Sequence, residues 1–567
     1  MKKILWSLLL CVIVFMWNAC EKDASTSDDS GSGDNDVEDG VSHEEAGDYS
    51  WDAASVYTIT LNGTSVAANT DLVTIQGSVA TITGAGAFSI TGTLANGQIV
   101  VDAGKNDLVR LIFNGIDITN NTGSAILVEK SAKTIVDLAS GTQNSLTDGS
   151  AYANADDDPN AALFSKSDLT IFGDGSLIVK GNYQDGIHSK DGLIIKSGAV
   201  TVSAVDDGIS GKDYLIVHGG SLNVNSGGDG IKSDNDVNTS VGYILIDGGS
   251  FRITSAGDAI SAQTTLNVSA GYFVIKTGGG SSSSVSGDAS AKGVKGLSGV
   301  TLAADSCSIN AADDAIHSNN SIEINGGVYS LASADDAIHA DKSLTVNDGN
   351  IMVTKCYEGF ESFVITIQSG TVSIVSTDDG FNATAGTRTE SDDKSFVYIH
   401  GGTITLNATT GDPLDSNGSI SMNSGTVIIH GPNSQPEVGI DYNGSFNISG
   451  GFLVASGTNS NMTQAPSNSS TQYSVRITYR SSQAAGALFH IQDAEGNDLV
   501  TFAPVRKYQS MVFSSPALIK GATYTIYKSG TSTGTVNNGL YAGGVYSPGT
   551  EAGNFTIGNS VTNLSNL

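Results

Sequence analysis

Basic residues are scarce in this chain: 27 Lys and Arg stand against 58 Asp and Glu, a formal charge of −31. A surface of that sign repels phosphate backbones and anionic bilayers, so nucleic acid and acidic membrane are excluded as partners. Cations are favoured, and anionic ligands only through a bridging cation. Proline numbers 8 and charged residues make up only 15% of the chain. Tryptophan numbers 3, and since Trp6 and Trp17 lie in an N-terminal apolar run, Trp51 alone is left. A flat tryptophan platform for a sugar is therefore not expected. Cysteine numbers 4, too few in 567 residues for a disulfide scaffold. No nucleophile motif, phosphate loop or zinc-type His/Cys spacing stands out. What is abundant is glycine, at 69, with Ser, Thr, Asn and Asp around it. That profile suits many short strands joined by polar turns and leaves little room for helix.

The first residues read as an export signal: Lys2 and Lys3, then an apolar run from Ile4 to Trp17 that is short for a membrane span. Asn18-Ala19-Cys20 closes it, a small residue before cysteine as in bacterial lipoprotein signals. Cys20 is the expected lipidation site, with residues 1–20 removed or modified as signal peptide. An ordinary signal peptide beside an unrelated cysteine is the alternative. Residues 21–50 carry many like charges and no apolar period, and are expected to be an acidic, disordered tether. The expected location is the outer membrane or cell surface, with the chain acting as a monomer.

From residue 126 the chain repeats. Aligning the apolar residue that follows Asp-Gly or Asp-Ala gives Ile187, Ile209, Ile231, Ile260, Val294, Ile316, Ile338, Phe360, Phe381, Leu414 and Ile440. Ala162-Leu163 and Ala125-Ile126 are earlier copies. Most steps are 21 or 22 residues, and the longer ones carry Gly/Ser/Asn/Asp insertions. Within each unit, alternating strands flank a Gly-Gly bend, as in LIVHGGSLNV at 215–224 and ILIDGGSFRI at 244–253. Each apolar position recurs in the same order one unit later, whereas an antiparallel meander would reverse the order. The fold is thus read as all-β: a right-handed parallel β-helix of about 13 turns, since one unit cannot bury its apolar face alone. Residues 51–125 are assigned to an N-terminal β cap, 126–455 to the parallel β-helix, and 456–567 to a linker and a small C-terminal β domain. In this register Cys307 and Cys356 lie about two turns apart, roughly 10 Å, too far for a disulfide.

The repeat stacks acids. Asp185, Asp207, Asp229 and Asp258 fall in one column, and Asp314, Asp336, Glu358 and Asp379 continue it after a gap. Preceding acids Asp206, Asp313, Asp335 and Asp378 make a partial second column. Two carboxylates ~5 Å apart repel by about 0.8 kcal/mol in water and roughly 3 kcal/mol at an effective dielectric of 20. Turn amides can relieve that charge, as in Asx turns. The doubled Asp-Asp turns point instead to Ca2+, which takes six to eight oxygens. The candidate metal ligands are Asp206, Asp207, Asp229, Asp313, Asp314, Asp335, Asp336, Glu358, Asp378 and Asp379. Lys190, Lys212 and Lys232 sit on neighbouring turns, as candidate contacts to an acidic glycan or as partners of the aspartates. His188, His317 and His339 follow the apolar residue and are expected to point outward as a solvent-facing ladder.

Six stretches stand out: DDAIHS, DDAIHA, Tyr357-Glu358-Gly359-Phe360-Glu361, DDDPNAALFSKSDLTI at 156–171, the N-terminal QIVVDAGKNDLVRLIFNGIDIT and the C-terminal GLYAGGVYSPGT. Together they resemble the bacterial carbohydrate-binding domain-containing β-helix proteins, relatives of polysaccharide lyases. The Val294 turn, which lacks its Asp, and Asp412-Pro413-Leu414 depart from the pattern. The resemblance implies non-catalytic binding of cellulose-type or pectin-type (polygalacturonate) plant polysaccharide, with bound calcium. A calcium-dependent pectate-type lyase and a surface adhesin are the other readings the same fold admits.

Overall fold

The computed structural model describes residues 43–153, 158–287, 289–386 and 391–567. The signal peptide, Cys20 and most of the expected tether lie outside these residues. Residues 44–567 form one compact unit. Among the described residues the only helical element is a single 3-10 turn, Ala53–Ser55.

The coil is a parallel β-helix with three strands per turn. The column read from the sequence is realised pair by pair: Ile126 beside Leu163, then Ile187, Ile209, Ile231 and Ile260. It continues through Val294, Ile316, Ile338, Phe360, Phe381, Leu414 and Ile440. A second interior ladder runs Leu193, Leu215, Ile244, Leu266, Val300, Ile322, Leu344 and Ile365. A third runs Val200, Leu222, Phe251, Phe273, Cys307, Tyr329 and Ile351. Nearly all of these side chains are sealed from solvent, each burial worth roughly 1.5–3 kcal/mol. Like stacks on like, and Phe251 lies face to face with Phe273 at 4.5 Å. Cys307 and Cys356 are both buried free thiols, as expected.

The Gly-Gly bend has a steric cause. Gly220 has φ +94°, and a Cβ there would lie 2.6 Å from the Gly198 carbonyl oxygen one turn earlier. Only glycine satisfies both the left-handed backbone and the close stacking of consecutive bends.

The N-terminal end differs from expectation in one respect. Antiparallel hairpins do occur there, Tyr57–Gly63 with Val66–Ala68 and Val73–Gln76 with Val79–Ile82. The parallel register, however, begins upstream of residue 126: Ala80 pairs with Ile99, and Ile99 with Ile126. These turns lack the Asp-Gly signature that located the others. Residues 44–50, read as part of the tether, are bound along the flank of the coil. Asp48 is buried against Lys133 at 2.7 Å, and its carbonyl accepts from Arg110 at 2.9 Å. Glu44 meets Lys196 and His218, each at 3.0 Å, and Tyr49 packs edge-on to Phe172. Apolar and charged partners on the coil hold a segment whose own composition reads as disordered.

At the other end, Phe452–Gly457 pairs antiparallel with Tyr508–Ser514, which pairs with Ser474–Gln483. This closes the open edge of the last turn. The segment expected as a linker lies along that turn, with Ser467 N–H donating to Phe446 O at 2.7 Å. A separate six-stranded sheet completes the C-terminal region, with Phe489, Phe502 and Ile526 fully buried in a core it shares with Val454, Ile477 and Phe513 of the larger sheet.

Candidate functional site

The acids of the sequence column stand at the bend that leads into the Ile187–Ile440 strands. Glycine or alanine follows each one, and where it is glycine a Cβ meets the neighbouring strand: one on Gly186 would lie 2.2 Å from Val202 Cγ1. The side chains are largely buried, with Asp258 at 2% and Asp314 at 3% exposure. One carboxylate oxygen is satisfied from the next turn. Asp185 accepts the Asp207 N–H at 3.1 Å, Asp207 that of Asp229 at 2.7 Å, and Asp229 that of Asp258 at 2.8 Å. Asp258 accepts from Lys292 N–H at 2.7 Å, and Asp314 from Asp336 N–H at 3.1 Å. Further on, Asp379 accepts from Asp412 N–H at 2.6 Å, and Asp412 from the Val438 N–H. The amide relief expected within a turn is thus found between turns, and the Asp412-Pro413 departure does not interrupt it.

The second oxygen meets the residue three positions on, or its equivalent one turn later. Asp185 Oδ2 contacts His188 Nδ1 at 2.9 Å. Asp207 Oδ2 contacts Lys232 Nζ at 3.0 Å, which also lies 3.5 Å from Asp229. Asp258 Oδ2 meets Lys295 at 3.0 Å. The gap in the column is filled by Lys292, whose ammonium lies 2.8 Å from Asp313 and 2.7 Å from Asp314. Asp314 also takes His317 Nδ1 at 2.8 Å. Burial alone would raise its pKa, but the His317 hydrogen bond and the lysine hold it at about 2. At Asp313 and Asp314, expected as calcium ligands, a lysine already supplies the cation. The histidines stand on the outer face of the coil as expected, and His317 stacks on His339 at 5.1 Å, but each is only partly exposed because its Nδ1 also contacts the acid three residues before it. Lys190 is tied to Asp158 at 2.5 Å, and among the described residues Lys212 makes no ion pair.

Toward the C-terminal turns these partners change sign. The column that begins His188, Ser210, Lys232, Ser261, Lys295, His317, His339 continues as Glu361, Asn382 and Asp415. Acids now face acids. Burial, then neighbouring acids, push Glu358 and Glu361 up to about 7. Burial, then Glu437 and Asp441, push Asp412 up to about 8. Asp379 is raised well above the usual range by burial and by Asp415, and Asp415 by burial and by Asp412. Asp412, Asp415 and Asp441 bring one oxygen each within 4.8 Å of one another, and among the described residues neither Asp412 nor Asp415 has an ion-pair partner. Asp336, His339 and Glu361 form a second such group.

Of the expected metal ligands, Asp207, Asp229, Asp314, Asp336, Glu358 and Asp379 lie in the inner column. Asp206 and Asp335 are on the exposed outer side, where Asp335 still brings an oxygen within 4.8 Å of Asp313 and Asp314, and Asp378 interacts with the Tyr357 hydroxyl. The sequence reading missed Glu361, Asp415 and Asp441, which occupy the position after the apolar residue. That position's drift from basic to acidic was the available signal. Tyrosines near the column are packed rather than presented as a platform: Tyr214 and Tyr243 are buried and stacked, and Tyr183 stacks on Tyr152 at 4.3 Å.

A carbohydrate-binding domain-containing protein of Acetivibrio thermocellus is 36% identical over 139 residues, 24% of this chain and 49% of the relative. The chain thus spans about half the length of that curated relative. A solved structure of a polysaccharide lyase-like protein from C. thermocellum, a gadolinium derivative, is 32% identical. It covers 39% of this chain and 92% of that one, with a TM-score of 0.39. A family model described as carbohydrate-binding domain-containing protein matches residues 76–337 and 332–477, which includes every turn of the acid column, and the chain belongs to that family.

Proposed function

We propose that this protein binds acidic plant-type polysaccharide without cleaving it, and that calcium held on the C-terminal acid turns bridges the two. The observation that carries the reading is the Asp412, Asp415 and Asp441 group, where three turn carboxylates converge on an all-oxygen donor set. Calcium prefers such donors and needs six to eight of them. Three protein carboxylates leave coordination positions that a uronate carboxylate can fill, which gives a strongly acidic protein a way to hold an acidic polymer. Asp379, one turn earlier, adds negative potential to the same place. The N-terminal lipoprotein-type signal ending at Cys20 supports a lipid-anchored role at the cell surface.

The test is binding of polygalacturonate and cellulose to the folded protein, with and without calcium, read by pull-down and calorimetry. Polygalacturonate is expected to bind only with calcium, and Asp415→Asn with Asp441→Asn is expected to abolish that binding. Retention in excess chelator overturns the bridging reading. Absorbance from unsaturated uronate ends on incubation with calcium overturns the non-catalytic one.

A further inference from the structure

We propose that Asp336, His339 and Glu361 form a separate site for a divalent transition-metal ion of the zinc class. His339 Nδ1 lies 2.9 Å from Asp336 Oδ2 and 3.7 Å from Glu361 Oε2, and the three donor atoms lie within 4.8 Å of one another. Metal–ligand bonds of 2.0–2.2 Å in a tetrahedron place neighbouring donors about 3.4 Å apart, and the two measured separations straddle that value. The coil builds the group by register: Asp336 stands three residues before His339, and Glu361 is the residue that pairs with His339 one turn on.

The donor chemistry distinguishes this group from the all-oxygen turns. An imidazole nitrogen with two carboxylates suits zinc and its neighbours, whereas calcium takes oxygen alone. The outer shell fits as well. His339 Nε2 lies 3.3 Å from Asp341 Oδ1, so with Nδ1 on a metal the other ring N–H donates to a carboxylate, the arrangement that orients metal-bound histidines. His339, Asp341 and Glu361 border a cavity of about 400 Å³, room for water or a small ligand on the open side of an ion. Ser362 lines the same cavity, is only 2% exposed, and has a hydroxyl without a hydrogen-bond partner. One turn earlier the corresponding Asp314 and His317 are already balanced by Lys292. Among the described residues no lysine pairs with Asp336, and Glu358 adds a further acid nearby.

Crystals of the full chain soaked in zinc chloride and measured on both sides of the zinc absorption edge locate the ion without any variant. An anomalous peak bonded to Asp336, His339 and Glu361 is expected, and its absence from these three residues overturns the proposal. In solution, zinc titration by calorimetry is expected to show one site that His339→Gln weakens at least 100-fold. Asp415→Asn with Asp441→Asn should leave that site unchanged, which separates this proposal from the calcium reading. Should His339→Gln fail to fold, Glu361→Gln is titrated in its place. Zinc affinity indifferent to the substitution at this group, or lost with the Asp415/Asp441 pair instead, overturns the proposal.

Discussion

Lys292 Nζ sits 2.7 Å from Asp314 Oδ2, at the position in its own turn where the neighbouring turns carry aspartate. A missing acid has thus become the counter-ion of the next one, and of Asp313 beside it. Replacing Lys292 with Met leaves two buried carboxylates facing each other. Removing one partner of a buried pair costs about 3–5 kcal/mol, so a marked drop in the urea midpoint is expected. A midpoint unchanged from the native protein would show that water already screens the pair.

Asp207 separates the two kinds of relief. Its Oδ1 accepts the Asp229 N–H and its Oδ2 the Lys232 ammonium. Asp207→Asn keeps an acceptor for the amide, whereas Asp207→Ala orphans a half-buried N–H, at a cost toward the lower end of about 1–3 kcal/mol. Denaturation curves should rank native, then Asn, then Ala. Equal losses would mean that the charge, not the amide, decides.

The bend predicts its own variant. Gly220→Ala puts a methyl against the Gly198 carbonyl at a positive φ. A strained residue of this kind costs about 1–3 kcal/mol, and the melting temperature should fall accordingly. Alanine at Gly47, which has open space around it, is the control.

Stability should depend on pH in two opposite windows. Glu358, Glu361 and Asp412 have folded pKa values raised to about 7, 7 and 8 from their ordinary values of 4.5, 4.5 and 3.8. The folded state binds these protons more tightly, so their contribution is full below the unfolded values and is lost as pH rises through 7 to 8. Asp314, lowered to about 2 from 3.8, acts the other way: its contribution is present above 3.8 and lost as pH falls toward 2. The ion-free protein should therefore melt higher at pH 5 than at pH 8. Calcium, competing with protons, should raise the melting temperature more at pH 8. Equal calcium effects at the two values would place the ion away from these acids.

The repeat made most of the coil legible before any coordinates. Alignment on the residue after Asp-Gly predicted the pairing of Ile187 through Ile440, because in a parallel stack sequence phase and spatial register are the same thing. The upstream turns at Ala80 and Ile99 lacked that signature, and parallel pairing there was invisible. The site was harder to read. Columns of acids were evident, but which of them are neutralised depends on side chains from a different turn. Lys292 reaches forward to Asp314, and Lys232 back to Asp207. The binding of Glu44 and Asp48 to Lys196 and Lys133 was equally hidden, since its partners are 152 and 85 residues away.

The acid column and the column three residues on can be treated as a text written one two-letter word per turn. From residue 185 it reads DH, DS, DK, DS, KK, DH, DH, EE, DN, DD. Because every turn offers the same backbone frame, the meaning of a word depends on itself and its neighbours and not on where it falls in the chain. A single base change in a codon can respell a turn from one that balances its own charge to one that does not. Duplication of one 22-residue unit copies a whole word without disturbing the grammar of the rest. The coil is in that sense a writable scaffold, on which the charge of each turn can be changed while the core stays the same.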